Sequence, residues 1–274
     1  MLFCSPPSPP IGIFDSGVGG LSVAKALRAT NPTAPLLYVA DSGHAPYGER
    51  DVSHVVNRSL RITDFLLSQQ AAMVVVACNT ATAAAIEAMR QHYPSLPLVG
   101  VEPGVKPAAQ RSANKRVGVM ATTGTLNSPR FQSLVQRFAV DCWVLPVACA
   151  GLAAAIEEGD AGHSRVQELL DTYCTLLTQA EVDTVVLGCT HYPFVAQDIA
   201  ARLGPHVTLL DTANAVAEQA ARLHRQLCTT ADRPLGPHAC APELTLMSTG
   251  DVEVLARLAK QHLAYEQAVR RIDP

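Results

Sequence analysis

Two cysteines stand in similar three-residue motifs, and each follows a short run of apolar residues. The first motif, Cys-Asn-Thr, covers residues 78–80, and the second, Cys-Thr-His, covers residues 189–191. A helix N-terminus lowers the pKa of a thiol from about 8.5, and the thiolate form is both a base and a nucleophile. The polar side chains and backbone N–H groups beside each cysteine can hold a small polar ligand. A lone buried cysteine is usually structural, but two cysteines in matching positions indicate a paired chemical role.

A metal site is the rival explanation for these motifs. Such a site needs further histidine or carboxylate ligands at close spacing, and only His191 stands near either cysteine. No two of the eight cysteines are spaced as Cys-x-x-Cys, which excludes a thioredoxin-like redox pair and the usual zinc-finger pattern. The sequence therefore predicts no metal site, and we expect the other six cysteines to be ordinary small residues. His191 can instead accept or supply the proton of the neighbouring thiol.

A glycine-rich segment at residues 15–20, Asp-Ser-Gly-Val-Gly-Gly, follows the first apolar run and precedes a helical pattern. It does not match GxGxxG, because Ser22 occupies the position of the third glycine, and the chain has no Gly-Lys-Ser/Thr of a P-loop. Two interpretations stay open. One is a tight strand-to-helix turn in which Asp15 or Ser16 caps the helix. The other is a loop whose free backbone N–H groups hold a carboxylate.

The elements that position these motifs are predicted from hydrophobic patterning. Short continuous apolar runs are typical of strands buried on both faces, and stretches with helical spacing lie between most of them. This alternation predicts an α/β protein with parallel sheets covered by helices on both faces. Residues 81–90 and 165–178 are predicted helices, whereas residues 229–243 are rich in proline and small polar residues and predict a loop. The predicted strands cover residues 11–14, 36–40, 74–77, 98–101, 117–120, 144–147, 185–187, 208–210 and 244–247.

The two cysteine motifs also mark an internal repeat. Residues 74–80 resemble residues 185–191, because in each segment a hydrophobic strand ends in cysteine and polar residues, and the two cysteines are 111 residues apart. The loop at residues 15–17 also resembles residues 121–124, although more weakly. We therefore predict two pseudo-symmetric, doubly wound α/β domains with mostly parallel sheets. The active site is expected in the cleft between them, at the carboxyl ends of the strands.

Charge and composition exclude several classes of protein. The net charge of −3 and the pI of about 6.3 argue against a nucleic-acid binder held by phosphate contacts. No apolar run reaches about 18 residues, so the sequence predicts no transmembrane helix. Residues 1–10 lack the basic start and long apolar segment of a secretory signal and are predicted to be a disordered Pro-rich leader. We expect a cytoplasmic protein whose thiols are reduced.

Assembled, the motifs resemble those of the cofactor-independent aspartate/glutamate racemase family, and most closely its glutamate racemases. The resemblance follows the family's order over about residues 11 to 251, and the two cysteine motifs make it specific. The related aspartate and hydantoin racemases share the two-cysteine plan but look less like this chain around Asp15 and Tyr47. A racemase that acts on aspartate or hydantoin is therefore the alternative. The matching segments are residues 12–21, 46–48, 77–81, 100–103, 121–125 and 188–193.

The resemblance assigns roles to individual residues. It implies that Cys78 and Cys189 are the two acid–base groups, with Asp15 assisting Cys78 and His191 assisting Cys189. It also implies that Cys78 deprotonates D-glutamate and that Cys189 deprotonates L-glutamate. Removal of the Cα proton on one face and its return on the other inverts the centre, which is why two groups on opposite faces suit a racemase.

Further site residues follow from the same resemblance. Glu157 matches a family carboxylate near the catalytic site, and Glu158 is the competing alignment. Thr122 and Thr125 are weaker candidates for substrate contact. The residues implied to hold glutamate are Asp15, Ser16, Tyr47, Gly48, Asn79, Thr80, Thr190 and His191.

The resemblance also implies a domain plan and a set of partners. Residues 11–99 and 207–274 are expected to form the first α/β domain, and residues 100–206 the second. No cofactor is implied, and none of the four lysines stands in a motif that suggests a Schiff base. The expected partner is a small-molecule substrate, glutamate, with no nucleic acid and no membrane, and a homodimer is compatible with the sequence. The implied role is the supply of D-glutamate for peptidoglycan.

A non-catalytic α/β ligand-binding protein with two facing lobes is the alternative outside the enzymes. Its sequence pattern is similar, because it also alternates strands and helices in two halves. Such a protein has no use for paired cysteines at the ends of strands. The two cysteine motifs therefore favour an enzyme.

Overall fold

The computed structural model describes residues 8–159, 163–230 and 243–274, which form two parallel sheets flanked by helices. Short 3-10 turns lie at Ser42–His44, Tyr47–Glu49 and Tyr192–Val195. The strands are β1 (Ile11–Asp15), β2 (Leu36–Ala40), β3 (Met73–Val76), β4 (Leu98–Gly100), β5 (Arg116–Ala121), β6 (Trp143–Ala148), β7 (Thr184–Leu187), β8 (Thr208–Leu210), β9 (Leu244–Ser248) and β10 (Arg270–Arg271). The helices are α1 (Leu21–Thr30), α2 (Val52–Ser68), α3 (Asn79–His92), α4 (Val105–Arg111), α5 (Thr123–Leu126), α6 (Pro129–Phe138), α7 (Leu152–Glu158), α8 (Ser164–Gln179), α9 (Ala196–Leu203), α10 (Ala213–Thr230) and α11 (Val252–Leu263).

The two sheets repeat one strand order. The first sheet runs β10-β9-β2-β1-β3-β4 and the second runs β6-β5-β7-β8, with every neighbouring pair parallel. The order β2-β1-β3-β4 therefore matches β6-β5-β7-β8 strand for strand. Cys78 and Cys189 each lie two residues beyond the equivalent strands β3 and β7. The predicted α/β fold of two pseudo-symmetric parallel sheets is confirmed. We call each sheet with the helices packed on it the first lobe and the second lobe.

The central strands of both sheets are buried on both faces, which explains why those strands are continuously apolar. Successive residues of a strand point to opposite faces. Ile13 and Phe14 of β1 accordingly pack into two different core clusters of the first lobe. Val185 and Val186 of β7 do the same in the second lobe. Helices on both sides of each sheet supply the rest of these cores, and the loops at the strand ends are left free to carry polar residues.

Several predicted boundaries shift in the structure. The helices predicted at 81–90 and 165–178 extend to Asn79–His92 and Ser164–Gln179. The loop predicted from residue 229 begins later, because α10 continues to Thr230 and Thr229 Oγ1 donates to Gln226 O at 2.9 Å within the helix. Residues 231–242 lie outside the described residues. The strand at Arg270–Arg271 was not predicted, because it contains no apolar residue.

The predicted domain boundary after residue 206 falls too early. Residues 208–210 form β8, which pairs with β7 in the second sheet, and the chain returns to the first lobe only with α10. Three residues are too few to carry a periodicity that would assign this strand to one sheet.

Near the N-terminus, Pro9 O accepts a hydrogen bond from His224 Nε2 at 2.8 Å. The remainder of the predicted leader, residues 1–7 with Cys4, lies outside the described residues, as does Cys240. No helix in the three described ranges combines the length and the apolar character needed to cross a membrane.

Asp183 ties the end of α4 to the start of β7. Its carboxylate accepts hydrogen bonds from Ser112 Oγ and Ala113 N at 2.7 Å. It also accepts from Asn114 N at 2.8 Å and from Thr184 Oγ1 at 2.9 Å. Burial alone raises the pKa of this carboxyl, but the hydrogen bonds outweigh burial and hold the pKa below its ordinary value. The folded protein therefore favours ionised Asp183.

We expect Asp183→Ala to lower the free energy of unfolding by about 1 kcal/mol at neutral pH, because the part-buried hydroxyls of Ser112 and Thr184 lose their acceptor, while the exposed N–H groups of Ala113 and Asn114 bond to water instead. Since the folded-state pKa is depressed, the contribution is present above the ordinary carboxyl pKa and is lost as the pH falls through the folded value. Urea unfolding at neutral pH and at about pH 3 measures this, and we expect the difference between the two proteins to be smaller at the lower pH. Asp171→Ala is the control, because Asp171 is 70% exposed and pairs with Arg202 at the surface. An equal loss in both variants contradicts the prediction.

Candidate active site

A cavity of about 260 Å³ lies where the carboxyl ends of the two sheets face each other. Pockets for drug-sized ligands measure roughly 300–1,000 Å³, so this cavity suits a small metabolite. Both lobes contribute to its wall. The lining residues are Ser16, Ala45, Pro46, Tyr47, Gly48, Cys78, Asn79, Thr80, Thr122, Ala153, Ala154, Glu157, Glu158, Gly188, Cys189, Thr190 and His191.

Cys78 lies on the first-lobe side of the cavity, at the N-terminus of α3. Its Sγ accepts a hydrogen bond from Ala81 N at 3.4 Å and lies 3.5 Å from Ser16 Oγ. Burial raises the pKa of Cys78 to about 12, and the negative charge of Asp15 adds to the rise. The contacts with Ser16 and Ala81 act in the opposite direction. The expectation that the helix N-terminus lowers this pKa is therefore wrong, because burial outweighs it, and the thiol form dominates at neutral pH.

Cys189 lies on the second-lobe side and is the first member of a line of three side chains. Its Sγ is 3.6 Å from His191 Nδ1, and His191 Nε2 donates to Glu157 Oε1 at 2.6 Å. Burial alone lowers the pKa of His191. The hydrogen bonds with Cys189 and Glu157, and their negative charges, outweigh burial and raise it well above the ordinary value. The imidazole is therefore held as a cation between the sulfur of Cys189 and the carboxylate of Glu157.

Asp15 lies behind the cavity wall rather than on it. Its carboxylate is fully buried and accepts hydrogen bonds from Gly17 N and from Thr190 Oγ1, each at 2.8 Å. Ser16 Oγ stands between Asp15 and Cys78, 3.5 Å from Asp15 Oδ1. Burial raises the pKa of Asp15, while the charge of His191 and the two hydrogen bonds oppose the rise. Asp15 therefore reaches Cys78 through Ser16 and reaches the second lobe through Thr190.

The glycines of the loop at residues 15–20 allow the second lobe to come close. A Cβ atom on Gly17 would overlap the carboxylate of Glu157. A Cβ atom on Gly19 would lie 2.5 Å from His191 Nδ1 and 2.6 Å from Thr190 Oγ1. In the same loop, Val18 N donates a hydrogen bond to Glu157 Oε1 at 3.0 Å. These positions need glycine because of close approach between lobes, and the backbone N–H of the loop binds a carboxylate of the protein itself.

Tyr47 and Gly48 form the wall between the lobes on the β2 side. The Tyr47 hydroxyl donates to Asp41 Oδ2, and Arg58 binds the same carboxylate through Nε at 3.0 Å and Nη2 at 2.8 Å. This buried ion pair holds the ring of Tyr47 against the cavity. A Cβ atom on Gly48 would lie 2.8 Å from Cβ of Thr122, so a glycine is required for contact with the second lobe.

A cluster of threonine hydroxyls joins the lobes beside Gly48. Thr80 Oγ1 lies 2.8 Å from Thr122 Oγ1 and 3.3 Å from Thr125 Oγ1. Of these three threonines, Thr80 and Thr122 line the cavity, whereas Thr125 lies behind the wall. Asn79 precedes this cluster, and its Oδ1 is buried without a hydrogen-bond partner among the described residues. An unpartnered buried oxygen beside a cavity is available to a ligand.

The cavity holds no arginine or lysine among its lining residues in the described part of the chain. An anionic ligand must therefore be bound by backbone N–H groups, hydroxyls, amides and the cation of His191. The ends of two helices help, because the N-termini of α3 and α5 lie at Cys78 and Thr122 and carry free N–H groups. The described residues contain no group of three or more His, Cys, Asp and Glu arranged to hold a metal ion.

The structure brings nearly all of the predicted site residues together. All of them except Asp15 and Thr125 line the cavity, and Glu157 and Glu158 both do so. Only Glu157 bonds to His191 and to Val18 N, which distinguishes the two alignments. Ala45, Ala153 and Ala154 also line the cavity but give no chemical signal in the sequence, and the buried support of Tyr47 was not predicted. Arg58 lies within an amphipathic helix, where an arginine is ordinarily a solvent-facing residue.

Known proteins resemble this chain in both sequence and structure. Residues 21–220 match the Asp/Glu/Hydantoin racemase family. A glutamate racemase of Pseudomonas syringae pv. tomato is 51% identical over 214 residues, which are 78% of this chain and 78% of that protein. A crystal structure of a Bacillus anthracis glutamate racemase isoform has a TM-score of 0.82 at 30% identity and covers 98% of each chain. The Escherichia coli glutamate racemase in complex with L-glutamate and an activator, UDP-MurNAc-ala, also has a TM-score of 0.82 at 30% identity, covering 96% of this chain and 98% of that one.

We expect Gly19→Ala to lower the pKa of His191 toward the ordinary value of about 6.5, because the added methyl group displaces the ring from Cys189 and Glu157. NMR titration of the His191 ring measures this pKa. Gly104→Ala is the control, because a Cβ atom there lies 3.2 Å from a Thr212 methyl group, outside the cavity wall. An unchanged His191 titration in Gly19→Ala contradicts the close approach seen in the structure.

Proposed function

This chain belongs to the Asp/Glu/Hydantoin racemase family, and we propose that Cys78 and Cys189 are the acid–base pair of its reaction. The chain is an isomerase that interconverts L- and D-glutamate, as the close similarity to glutamate racemases over most of its length shows. Enzymes of this class supply D-glutamate for peptidoglycan. A preference for aspartate or hydantoin is not favoured, because the similar proteins are glutamate racemases.

The observation that carries the proposal is the placement of the two thiols. They follow equivalent strands of two facing lobes and line one cavity, so they can approach a bound amino acid from opposite sides. A single base tends to return the proton to the face from which it came. A thiolate on one face and a thiol on the other invert the centre in one passage.

The two thiols exchange the roles of base and acid between the two directions of the reaction. For L-glutamate, the Cys189 thiolate takes the Cα proton, so the Cα–H bond breaks and an S–H bond forms. The electron pair moves into the α-carboxylate, and the Cys78 thiol then gives its proton to the opposite face of Cα. For D-glutamate the two roles exchange. After either passage one thiol and one thiolate have exchanged places, and proton exchange with solvent restores the starting form.

The two thiols have different supporting groups. The cation of His191, held by Glu157, is placed to stabilise a thiolate at Cys189. Among the described residues, Cys78 makes no hydrogen bond to a cation, and Ser16 connects it to Asp15. When Cys78 must become a thiolate, its proton passes through the Ser16 hydroxyl to Asp15, a buried carboxyl group whose pKa burial has raised. We propose Asp15 as a positioning residue for Cys78 and His191 as its counterpart on the Cys189 side.

The carbanion that forms at Cα needs stabilisation, which fixed hydrogen-bond donors in a cavity of low dielectric can supply. We propose that Ser16, Asn79, Thr80 and Thr190 hold the reacting end of glutamate, with Tyr47 and Gly48 on the facing wall. The helix N-terminus at Cys78 directs backbone N–H groups toward the same space. With no lysine or arginine on the wall, these dipoles carry the task of charge stabilisation.

The domain division, the cellular location and the oligomeric state stay predictions. The division into two domains is supported by the two separate sheets, with its second boundary moved beyond β8. A cytoplasmic location is consistent with six cysteines that are free thiols in the described residues. A homodimer stays a prediction, and sedimentation of the purified protein tests it.

The two-base proposal is tested in D2O with sampling early in the reaction. Each thiol holds one hydrogen, so a proton returned before exchange leaves the substrate unlabelled, whereas the product receives deuterium from the other thiol. We expect label in the product and almost none in residual substrate, starting from either enantiomer, measured by NMR at Cα. Early labelling of both pools indicates a single base or one with several exchangeable protons.

Single cysteine variants separate the two half-reactions. We expect Cys78→Ser and Cys189→Ser each to abolish racemisation, because inversion needs both faces. Slow exchange of the Cα hydrogen persists for L-glutamate in the first variant and for D-glutamate in the second. Cys174→Ser is the matched control, because Cys174 is a buried thiol outside the cavity. Near wild-type racemisation by either of the first two variants overturns the assignment.

The raised pKa of Cys78 predicts a dependence on pH that differs between directions. The enantiomers have equal free energy, so kcat/KM must be the same in both directions, and asymmetry is visible only in kcat. D-glutamate requires the Cys78 thiolate, whose fraction rises about tenfold per pH unit below a pKa of about 12. We expect kcat from D-glutamate to rise between pH 7 and pH 9, and kcat from L-glutamate, which uses the thiol form, to rise less. Equal pH profiles of the two kcat values contradict this.

A further inference from the structure

Arg257 of α11 reaches across the lobe boundary to the end of α7. Its Nη2 donates to the backbone O of Glu157 at 2.8 Å, and its Nη1 lies 3.4 Å from Gly159 O. The side chain of Arg257 is exposed and does not line the cavity, so it contacts a wall residue from behind rather than the substrate. The residue that it holds is nevertheless the carboxylate partner of His191.

The two helices belong to different lobes. Leu255 and Leu258 of α11 pack in the core of the first lobe with β1 and β2. Leu152 and Ile156 of α7 pack in the core of the second lobe. The bond from Arg257 is therefore a tether between the lobes and not part of the packing of either one.

Glu157 is held from the first lobe at both of its ends. Its side chain accepts from Val18 N at 3.0 Å, and its main chain accepts from Arg257. The same oxygen that binds Val18 also receives His191 Nε2 at 2.6 Å. A small displacement of the last turn of α7 therefore changes the geometry of His191, and with it the support of Cys189.

The chemistry of the contact suits a cation. The last carbonyl groups of a helix have no partner within the helix and carry its negative dipole end. Arg257 places a guanidinium group there, and two N–H groups of that planar group face two of the carbonyl oxygens. The helix is only two turns long, so its own hydrogen bonds hold its last turn weakly.

A second contact of α11 reaches the same half of the site. The ring of His262 stacks on Phe194 with centroids 4.1 Å apart and planes 9° apart. Phe194 lies three residues beyond His191, in the turn that follows the second cysteine motif, and Phe194 N donates to His191 O at 3.0 Å. Helix α11 therefore touches both segments that carry the partners of Cys189.

We propose that Arg257 is a positioning residue for the Cys189 half of the reaction, acting through Glu157 on His191. The proposal rests on glutamate racemisation as the function of the site. Loss of the guanidinium frees the end of α7, and Glu157 then holds His191 less firmly. The thiolate of Cys189, which removes the proton of L-glutamate, loses part of its stabilisation.

The first test compares Arg257→Ala with wild type. We expect kcat from L-glutamate to fall by roughly three- to tenfold, with a smaller fall from D-glutamate, because one charge-assisted hydrogen bond is lost. The pKa of His191, followed by NMR, falls as well. Arg257→Lys restores part of both values, because an ammonium group can still donate to one carbonyl oxygen. Arg222→Ala is the control, because Arg222 is exposed on α10 and its partners among the described residues are Gln219 and Gln226, outside the site.

The second test is a double-mutant cycle with Glu157→Ala, which removes the side chain but keeps the carbonyl group. If Arg257 acts through the Glu157 side chain, Arg257→Ala causes no further fall in kcat in that background. An equal fall in both backgrounds, or a lower melting temperature with unchanged kcat and unchanged His191 titration, makes Arg257 a structural tether only and overturns the proposal. Either result leaves wild-type racemisation intact, so failure of this proposal is distinguishable from failure of the proposed function.

Discussion

The contact between the glycine-rich loop at residues 15–20 and the second lobe is the constraint on which the site depends. One oxygen of Glu157 accepts both Val18 N of the first lobe and His191 Nε2 of the second. The bonds form only because Gly17 and Gly19 have no side chain in the space that Glu157 and His191 occupy. A site between two lobes needs such contacts, since catalytic groups on different bodies keep their geometry only if the bodies are held together.

Burial sets the electrostatics of this site more than any single charge does. It raises the pKa of the Cys78 thiol and of Asp15, and it opposes the charged form of His191. His191 stays cationic only because Glu157 and Cys189 compensate. With no lysine or arginine on the wall, the cavity must stabilise charge through oriented N–H and hydroxyl dipoles, which require no reorganisation during the reaction.

The two halves are equivalent in topology but not in chemistry. Both cysteines follow the third strand of a 2-1-3-4 sheet, which explains how each reaches the cavity. Their partners differ, because Cys78 lies beside a serine hydroxyl and Cys189 beside an imidazole. The repeated fold thus supplies two thiols on opposite sides, while local sequence gives each thiol its own proton path.

The sequence by itself determined nine of the ten described strands, the two-lobed α/β architecture and most of the cavity wall. Apolar runs report burial on both faces, and motifs at strand ends are local in the chain. It did not determine that Asp15 lies behind the wall, that burial raises the pKa of Cys78, or that Glu157 rather than Glu158 bonds to His191. Neither β8 as a member of the second sheet nor the reach of Arg257 to α7 is visible in any local pattern. These features depend on residues far apart in sequence, and only the packing of one lobe against the other decides their distances and solvent exposure.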